Sequence, residues 1–338
     1  MNKTVSTFVA GLLIGVLLAT GGFALFLKSQ KGGGGTATRT VLKLGHVQDT
    51  AHPIHQSIEM MKQRLEELSG GSVTIDISPG GVLGSSDACI EQLQDGSLAM
   101  TCQSGANMEN FIPEMATFSL PYVFRDAEHY WQVLNGDVGS QLLEKGEAKF
   151  LRGLCYYDAG SRNFYTKNKP IRTPDDLKGL KIRVMNSVTA IDMVKSLGAA
   201  PTPISYGELY SALAQGAVDG AENNPPSFYS SKHYEECKHF SLDGHTRIPD
   251  MLMISTKAWD ALSPEIQGWL QQAAQESSVF QRKIWKEDTE AALKKVEAEG
   301  VKVYKVDTAV FAEKVRPMLD AIENPAVRSL LDQIAEVE

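Results

Sequence analysis

Arg183 has the sequence surroundings of an anion-binding residue. It lies in the segment LKGLKIRVMNS, residues 177–187, in which apolar and basic residues alternate as they do along a strand. Asn186 and Ser187 follow and begin a predicted helix, so Arg183 lies at the carboxyl end of a strand, where ligands of open α/β sheets bind. A guanidinium there would hold a carboxylate through two parallel hydrogen bonds, and the free amides of the helix would add positive potential. The pattern alone is equally compatible with a surface arginine paired to an acid.

A second polar group ends another predicted strand. In DGAENNPPSF, residues 219–228, Glu222 and Asn223 come at the strand end, and a proline pair stops the segment. A carboxylate and amides at such a place can hydrogen bond to the hydroxyl groups of a ligand. A polar turn in front of the prolines explains the pattern equally well.

The sequence contains no motif of a known catalytic centre. Nucleophile elbows, HExxH zinc motifs, phosphate loops and dinucleotide fingerprints are absent. His52 and His55 lie three residues apart at a predicted helix start, but no further metal ligands accompany them. The alternatives to a metal pair are that the two histidines contact a ligand at a polar rim or lie at the surface without a functional role. The sequence therefore predicts neither an enzyme nor a metal or cofactor site.

Alternating strands and helices are predicted to position these residues. Strands are predicted over residues 41–47, 72–78, 98–102, 153–157, 180–185 and 217–222, and helices over 58–68, 85–95, 173–176, 187–198 and 206–215. This alternation of strands and helices predicts α/β layers with parallel sheets. The alternation begins again after residue 150, which indicates a second lobe. The run Ser85-Ser86-Asp87 is predicted to cap the helix over 85–95, and Gly96 is predicted to end it. Ser205 and Glu208 have the spacing of a capping box at the start of the last of these helices.

A single long helix is predicted in the last third of the chain. Ser263 and Pro264 form a helix start, and no breaker follows before Gly300. At 1.5 Å per residue such a helix is about 50 Å long, more than the diameter of one lobe, so we expect it to lie across both lobes. The predicted α/β organisation has lobe one over residues 36–160 and 244–262, lobe two over 161–243, the long helix over 263–300 and a C-terminal segment over 301–338.

The N-terminal segment has the composition of an export signal. Residues 8–27 carry no charge, Lys3 precedes them, and Lys28 and Lys31 follow before a run of glycines. The apolar run is about 20 residues long, enough to span a bilayer, so residues 1–35 are predicted to be either a cleaved signal peptide or a retained anchor with a glycine tether. Either interpretation predicts export to the periplasm.

The overall composition is that of an acidic globular chain. Its 338 residues are 43% hydrophobic, and 33 basic against 41 acidic residues give a net charge of −8. This balance argues against binding to nucleic acid, which needs a basic surface. The cysteines Cys89, Cys102, Cys155 and Cys237 form no CxxC pair and are expected either as buried thiols or in disulfides.

Several segments together resemble a known family. They are GGVLGSSDACIEQLQDGSLAM, SLPYVF, TPDDLKGLKIRVMNS, LGAAPTPISYGELYSALAQGAVDGAEN and the long C-terminal helix. Over about residues 40–320 the chain resembles the extracytoplasmic solute-binding subunit of tripartite ATP-independent periplasmic (TRAP) transporters. The resemblance implies two α/β lobes that are joined by crossing strands and close on a ligand. It also implies a receptor without enzymatic activity or cofactor, monomeric in our expectation, that delivers its ligand to a two-subunit membrane permease driven by an ion gradient.

The same resemblance implies which residues bind the ligand. It assigns the carboxylate clamp to Arg183 and a second arginine to Arg162. Further contacts are implied for Gln103 and Asn107 of lobe one and for Asn186, Tyr206 and Asn223 of lobe two. Cys155 and Cys237 would lie in the crossing strands, where a disulfide between them would restrain the hinge.

Departures from the sialic acid-binding members narrow the expected ligand. Those members have an asparagine where this chain has Val47, next to His46, and an arginine where it has Asn107. The segments GHVQDTAHPIH, CYYDAGSRNFYTK and DGAENNPPSFY instead resemble members that bind hexuronates such as glucuronate or galacturonate.

We therefore expect Arg183 to hold the carboxylate of a sugar acid. The residues expected to contact its hydroxyl groups are His52, Asn107, Glu222 and Asn223, and His46 is expected as a further ligand-binding residue. A C4-dicarboxylate is the second choice of ligand, because Glu222 would repel a second carboxylate. A ligand-sensing periplasmic domain is the alternative function.

Overall fold

The structure, a computed structural model, describes residues 39–337, so the predicted signal peptide or anchor of residues 1–35 lies outside the described part. The strands, in chain order, are β1 (Thr40–Gly45), β2 (Val73–Ser78), β3 (Met100–Ser104), β4 (Leu151–Tyr157), β5 (Arg162–Thr166), β6 (Lys181–Val184), β7 (Ala200–Pro203), β8 (Gly220–Asn223), β9 (His239–Thr246), β10 (Asp250–Ser255) and β11 (Lys302–Lys305).

The helices of the described part alternate with these strands. In chain order they are α1 (Pro53–Leu68), α2 (Ser86–Asp95), α3 (Gly105–Met108), α4 (Ala116–Ser119), α5 (Ala127–Asn135), α6 (Asp137–Glu144), α7 (Val188–Ser196), α8 (Tyr206–Ala214), α9 (Pro225–Ser230), α10 (His233–Glu236), α11 (Thr256–Asp260), α12 (Pro264–Ala298), α13 (Thr308–Asp320) and α14 (Pro325–Glu336). Short 3-10 helices cover Pro113–Met115, Glu147–Lys149 and Pro174–Leu177.

Both sheets are mixed, which corrects the prediction of parallel sheets. Sheet one has the order β2-β1-β3-β10-β4, and sheet two has the order β11-β9-β5-β8-β6-β7. β1 is parallel to β3, and β6 is parallel to β7 and β8, whereas β10 is antiparallel to β3 and β4, and β5 is antiparallel to β8 and β9. The chain crosses between the sheets from β4 to β5 and from β9 to β10. β5 and β10 each enter their sheet from the other lobe, at the edge of the sheet where the neighbouring strands end. Each therefore runs antiparallel to its neighbours.

Apolar helix faces cover sheet one to form lobe one. Along α1, Ile54, Ile58, Met61 and Leu65 recur at the spacing of one helix face and are at most 1% exposed. They share a core cluster with residues of β1, β2, β3, β4 and β10. Burial of each such side chain stabilises the fold by about 1.5–3 kcal/mol, which fixes α1 on the sheet.

The same principle builds lobe two on sheet two. Ile182 and Val184 of β6 lie in a core cluster with Met193 of α7 and Phe311 of α13. Because side chains alternate along a strand, burying Ile182 and Val184 on this face directs Arg183 to the opposite face. The strand predicted over residues 180–185 is therefore confirmed as β6, and its alternation fixes the direction of the Arg183 side chain.

Helix α12 spans both lobes, as predicted. Its start is capped by Ser263, whose Oγ accepts a hydrogen bond from the amide of Ile266, and its 35 residues give a length of about 52 Å. Leu270 and Ala274 lie in the core of lobe one, whereas Val296 lies in the core of lobe two. The helix therefore belongs to both cores and connects them.

Where the chain crosses between the lobes, residues 158–161 and 247–249 lie beside the middle of α12. The side chain of Gln281 accepts a hydrogen bond from the amide of Asp158 at 2.7 Å and donates one to its carbonyl at 2.8 Å. Arg247 lies 3.6 Å from the Asp158 carboxylate and donates to the Ser161 hydroxyl at 3.1 Å. The two crossing segments and the helix thus form one hydrogen-bonded hinge.

Helix ends follow the sequence signals at α2 but not at α8. At α2, Ser85 caps the first turn and Gly96 ends the helix at φ 86°, as predicted. At α8, the Ser205 hydroxyl makes no capping hydrogen bond, so the predicted capping box with Glu208 is wrong. The Glu208 amide donates to the Ser205 carbonyl instead, which leaves no need for the hydroxyl.

Cys89, Cys102, Cys155 and Cys237 are all buried and free, so the thiol alternative holds and the disulfide does not form. Cys155 lies in β4 opposite Leu252, inside sheet one, whereas Cys237 lies in a core cluster of lobe two. A disulfide needs Cα atoms within about 7 Å, which residues of separate cores do not offer. Burial raises the pKa of the Cys102 and Cys155 thiols and raises that of Cys237 to about 12.

Two further features of the described residues bear on the predicted organisation. Sheet two extends to Thr246 and includes β11, and α13 packs with lobe two while α14 packs with lobe one, so the lobes share the C-terminal segment. Between residues 39 and 337, none of the helices combines the length and apolar character needed to cross a membrane.

Candidate functional site

A cavity lies between the lobes, at the carboxyl ends of β3, β6 and β8. It encloses about 750 Å³, including the space at its mouth. Of the residues predicted to bind a ligand, those that line it are Gln103, Asn107, Arg162, Arg183, Asn186, Tyr206 and Asn223. Strand ends in α/β sheets leave backbone and side chains free to face a ligand, which explains why these residues meet here.

Arg183 is buried in the wall of lobe two. It is 1% exposed, its Nε donates to the Ile204 carbonyl at 2.8 Å, and its Nη1 is buried without a hydrogen-bond partner among the described residues. Burial lowers the pKa of this guanidinium. Leaving a buried cation with an unpaired donor costs free energy unless an anion arrives to accept from it. Arg183 is therefore a buried cation with one donor left for an anion, and not a surface arginine paired to an acid.

Arg162, in contrast, is already paired. Its Nε and Nη2 donate to the carboxylate of Glu222, with Nη2 to Oε1 at 2.9 Å, and its Nη1 donates to Asn223 Oδ1 at 3.0 Å. Burial would raise the pKa of Glu222, but Arg162 and His245 outweigh it and lower that pKa to about 2. Glu222 therefore stays ionised behind Arg162 and does not line the cavity.

His245 and Asp243 extend this pair into a buried network that the sequence did not predict. His245 donates from Nδ1 to Asp243 Oδ2 at 2.6 Å and lies 3.3 Å from Glu222 Oε2 through Nε2. Burial opposes the charge on His245, but Asp243 and Glu222 raise its pKa to about 9. The network thus contains two cations and two anions, and its charges balance.

His52 and His46 lie next to the cavity without lining it. His52 accepts from the Ile54 amide through Nδ1, so its Nε2 carries the proton and donates to Ser227 Oγ at 3.0 Å. His46 Nε2 lies 3.1 Å from His55 Nδ1. Burial lowers the pKa of both His46 and His52 to about 3, so both rings are neutral. No group of three or more metal-ligating side chains occurs in residues 39–337.

Neutral hydrogen-bonding groups make up most of the remaining wall. Gln103 donates to Thr101 Oγ1 at 2.8 Å, and its Oε1 is buried without a partner in the described structure. The Tyr206 hydroxyl lies near Ser227 and Ser231 but makes no hydrogen bond of normal geometry. Asn223 Oδ1 accepts from the Asn224 amide as well as from Arg162. Unsatisfied amide and hydroxyl groups in a cavity are suited to the hydroxyl groups of a ligand.

Two acidic residues of lobe one line the cavity and were not predicted to do so. Asp87 accepts from Asn107 Nδ2 at 3.1 Å and from Asn186 Nδ2 at 2.7 Å, so it joins the two lobes across the cavity mouth. In the sequence it was recognised only as part of a helix start. Asp250, the first residue of β10, carries no local pattern that marks it as a site residue.

The lobes are in contact around the cavity in this structure. Asn110 Nδ2 donates to the Asn186 carbonyl at 2.7 Å, and the Thr189 amide at the start of α7 donates to Glu109 Oε1 at 3.0 Å. Together with the contacts of Asp87 and His52, these hydrogen bonds close the cavity on its outer side.

The sequence matches a known family over nearly all of the described residues. The family model described as bacterial extracellular solute-binding protein, family 7, matches residues 44–325. The C4-dicarboxylate-binding periplasmic protein DctP of Rhodobacter capsulatus is 31% identical over 261 residues, which cover 77% of this chain and 78% of that protein.

Solved structures share the fold as well as the sequence. A TRAP periplasmic solute-binding protein of a Bradyrhizobium species, in complex with D-galacturonate, is 40% identical with a TM-score of 0.84, over 87% of this chain and 98% of that chain. One of Chromohalobacter salexigens with bound D-glucuronate is 31% identical with a TM-score of 0.85, over 88% of this chain and 100% of that chain. The two-lobed fold predicted from the sequence is confirmed.

Proposed function

Because the chain belongs to family 7 of the bacterial extracellular solute-binding proteins, the receptor subunits of TRAP transporters, we propose that it captures a hexuronate and delivers it to the membrane permease of such a transporter. Proteins of this family are extracytoplasmic receptors and not enzymes. The observation that carries the proposal is the buried Nη1 of Arg183, which faces the cavity region without a partner among the described residues.

The ligand carboxylate binds Arg183 in this proposal. A guanidinium and a carboxylate form two parallel hydrogen bonds, and the exclusion of water from the buried wall strengthens each of them. Gln103, Tyr206 and Asn223 then hydrogen bond to the ring hydroxyls, since each has polar atoms in the cavity wall. A hexuronate has one carboxylate and several hydroxyls, which matches a wall with one unpaired arginine and several amide and hydroxyl side chains.

Glu222, His52 and His46 act indirectly. Both oxygens of Glu222 accept from Arg162, so Glu222 orients Arg162 toward the cavity instead of contacting the ligand. His52 joins the lobes through Ser227, which lines the cavity. His46 supports α1 through its contact with His55. These roles replace the direct ligand contacts expected from the sequence.

A C4-dicarboxylate is the second candidate ligand, favoured by the similarity to the dicarboxylate-binding relative. Calorimetric titration of the purified protein with D-galacturonate, D-glucuronate, succinate and malate separates the two candidates. D-galactose is the matched control, because it carries a neutral hydroxymethyl group in place of the carboxylate of galacturonate. We expect binding of a hexuronate but not of galactose; binding of galactose, or of the dicarboxylates alone, would refute the hexuronate proposal.

A permease partner is proposed on the same family basis. Uptake of labelled galacturonate into vesicles that contain the two permease subunits should require this protein and an ion gradient. Equal uptake with and without the protein would exclude this partner.

A further inference from the structure

The two walls of the cavity carry opposite charges. On the side of lobe two, Arg162 is neutralised by Glu222, which leaves Arg183 as the unpaired cation of the described cavity wall. On the side of lobe one, the charged residues that line the cavity are Asp87 and Asp250. A ligand bound through its carboxylate to Arg183 therefore extends toward acidic groups.

The carboxylate of Asp250 is free to bind a ligand. Asp250 starts β10 between β3 and β4, opposite Ser104 and Tyr157, and this largely buried residue keeps some exposed surface where it lines the cavity. Its oxygens make no hydrogen bond to residues 39–337. Asp87 differs in this respect, because Asn107 and Asn186 already donate to its two oxygens.

Asp250 also has an unusual protonation equilibrium. Burial and the nearby Asp158 raise its pKa, Arg162 opposes them, and the result is about 7. As a neutral acid it donates to a hydroxyl, and as a carboxylate it accepts from one. Either form suits a sugar hydroxyl. A second carboxylate on the ligand is different, because an ionised Asp250 repels it. Asp250 tolerates such a group only when one of the two carboxyl groups is protonated.

We propose that Asp250 makes the cavity selective for monocarboxylates: it hydrogen bonds to a hydroxyl at the end of the ligand distant from Arg183 and excludes ligands that carry a second carboxylate there. The proposal rests on the proposed hexuronate binding and names the residue that separates this ligand class from the dicarboxylates. Arg183 selects for one carboxylate, and Asp250 selects against two.

The test compares galacturonate with galactarate, which has the same carbon chain and a second carboxylate at the other end. Calorimetry at about pH 9, two units above the pKa of Asp250, should show that wild-type protein binds galacturonate about 100-fold more tightly, because galactarate then binds only with the uptake of a proton or against a like charge. In Asp250→Asn the affinity for galactarate should rise about tenfold or more, while that for galacturonate falls by less than about tenfold, as expected for one lost hydrogen bond. The ratio of the two dissociation constants should therefore shrink at least tenfold.

Controls keep the ratio interpretable. Asp192→Asn removes one negative charge from the exposed face of α7 and should leave the ratio unchanged. Asp250→Ser is the second variant if the asparagine protein does not fold, and it should shrink the ratio in the same direction. Because both ligands are measured on one variant, partial unfolding does not alter the ratio.

The possible results separate this inference from the proposed function. If wild-type protein binds galacturonate but binds galactarate equally well, or if both Asp250 variants keep the wild-type ratio, the role of Asp250 is wrong and the hexuronate function stands. If wild-type protein binds no hexuronate, or binds dicarboxylates in their place, the proposed function fails and this inference fails with it.

Discussion

At the scale of the residue, the unpaired Nη1 of Arg183 predicts how the protein responds to substitution there. Arg183→Ala and Arg183→Lys should each lose about 2–5 kcal/mol of binding free energy for a hexuronate, the range for truncating one partner of a buried charge pair. Lysine should fail because an ammonium group does not reproduce the two parallel hydrogen bonds. Calorimetry measures the binding, and thermal unfolding without ligand should show a folded protein in both cases.

Arg316→Lys is the matched control, since Arg316 is exposed on α13 and does not line the cavity. It should bind as wild type does. Wild-type affinity in Arg183→Lys would show that Arg183 does not hold the carboxylate.

The pair of Arg162 and Glu222 predicts a change in stability rather than in ligand choice. Glu222→Gln leaves a buried guanidinium without its counter-charge, and breaking a buried pair in this way costs about 3–5 kcal/mol. The unfolding free energy from urea titration should fall by that amount. The double variant Arg162→Met with Glu222→Leu should be less destabilised than Glu222→Gln, because no charge remains unpaired. A double variant less stable than Glu222→Gln would contradict this account.

The sequence predicted some of the site residues and missed others. The alternating pattern of β6 and the helix after it gave Arg183 a local signal, and the family resemblance supplied its role. The pairing of Arg162 with Glu222 has no such signal, because it depends on the antiparallel register of β5 and β8, in which Phe164 lies opposite Glu222. Asp250 is likewise brought to the cavity by a strand that returns from the other lobe.

At the scale of the element, α12 controls the hinge through Gln281. Gln281→Leu should leave the amide and the carbonyl of Asp158 buried without partners, at about 1–3 kcal/mol for each group. The melting temperature should fall, and amide hydrogen exchange in residues 158–161 should become faster.

Gln272→Leu on the exposed face of the same helix is the control, and it should change neither quantity. Unchanged exchange in residues 158–161 of the Gln281→Leu protein would show that the hinge does not depend on this contact.

The elements themselves were predicted well wherever the signal is local. Ser85 with Gly96, and Ser263 with the following proline, marked the limits of α2 and α12 because caps act within one turn. The parallel pairing of β1 with β3 and of β6 with β8 is confirmed, but the prediction of wholly parallel sheets is wrong. The antiparallel strands β5 and β10 were not predicted, because they depend on where the chain crosses between the lobes. The Ser205 capping box failed for a related reason, since the backbone of that turn already satisfied the Glu208 amide.

At the scale of the whole molecule, buried histidines predict a loss of stability in acid. Burial lowers the pKa of His46, His52 and His233 from 6.5 to about 3. Their contribution is fully present above pH 6.5 and is lost as the pH falls toward 3, because the unfolded chain binds protons that the folded chain does not. Glu222, with its pKa lowered to about 2, adds to the loss below pH 4.5.

His245 sets the upper limit of the stable range. Its pKa is raised to about 9, so its contribution is present below pH 6.5 and is lost as the pH rises through 9. The contribution of Asp250 is likewise lost as the pH rises from 3.8 to 7, because its pKa is raised to about 7. Below pH 6.5 the three buried histidines outweigh this single group, so stability still rises with pH there. The melting temperature of the ligand-free protein should therefore be highest near pH 6.5 and should fall as the pH rises from there toward 9. A maximum below pH 5 would contradict the neutral state of the buried histidines.

The hydrogen bonds between the lobes predict a ligand-dependent change in shape. Opening the cavity must break the contact of Asp87 with Asn186 and that of Glu109 with Thr189. Small-angle scattering should give a smaller radius of gyration with saturating hexuronate than without it. An identical radius in both conditions would show that the lobes do not separate.

The buried cysteines have a consequence for the lifetime of the protein outside the cell membrane. In the folded chain, burial raises their pKa, and oxidants that attack thiolates find little to react with. Unfolding exposes all of them at once in a compartment that favours disulfides, and wrongly joined cysteines would trap the chain. A bound solute makes unfolding rarer. The transported nutrient would in this way also protect its carrier from oxidative damage.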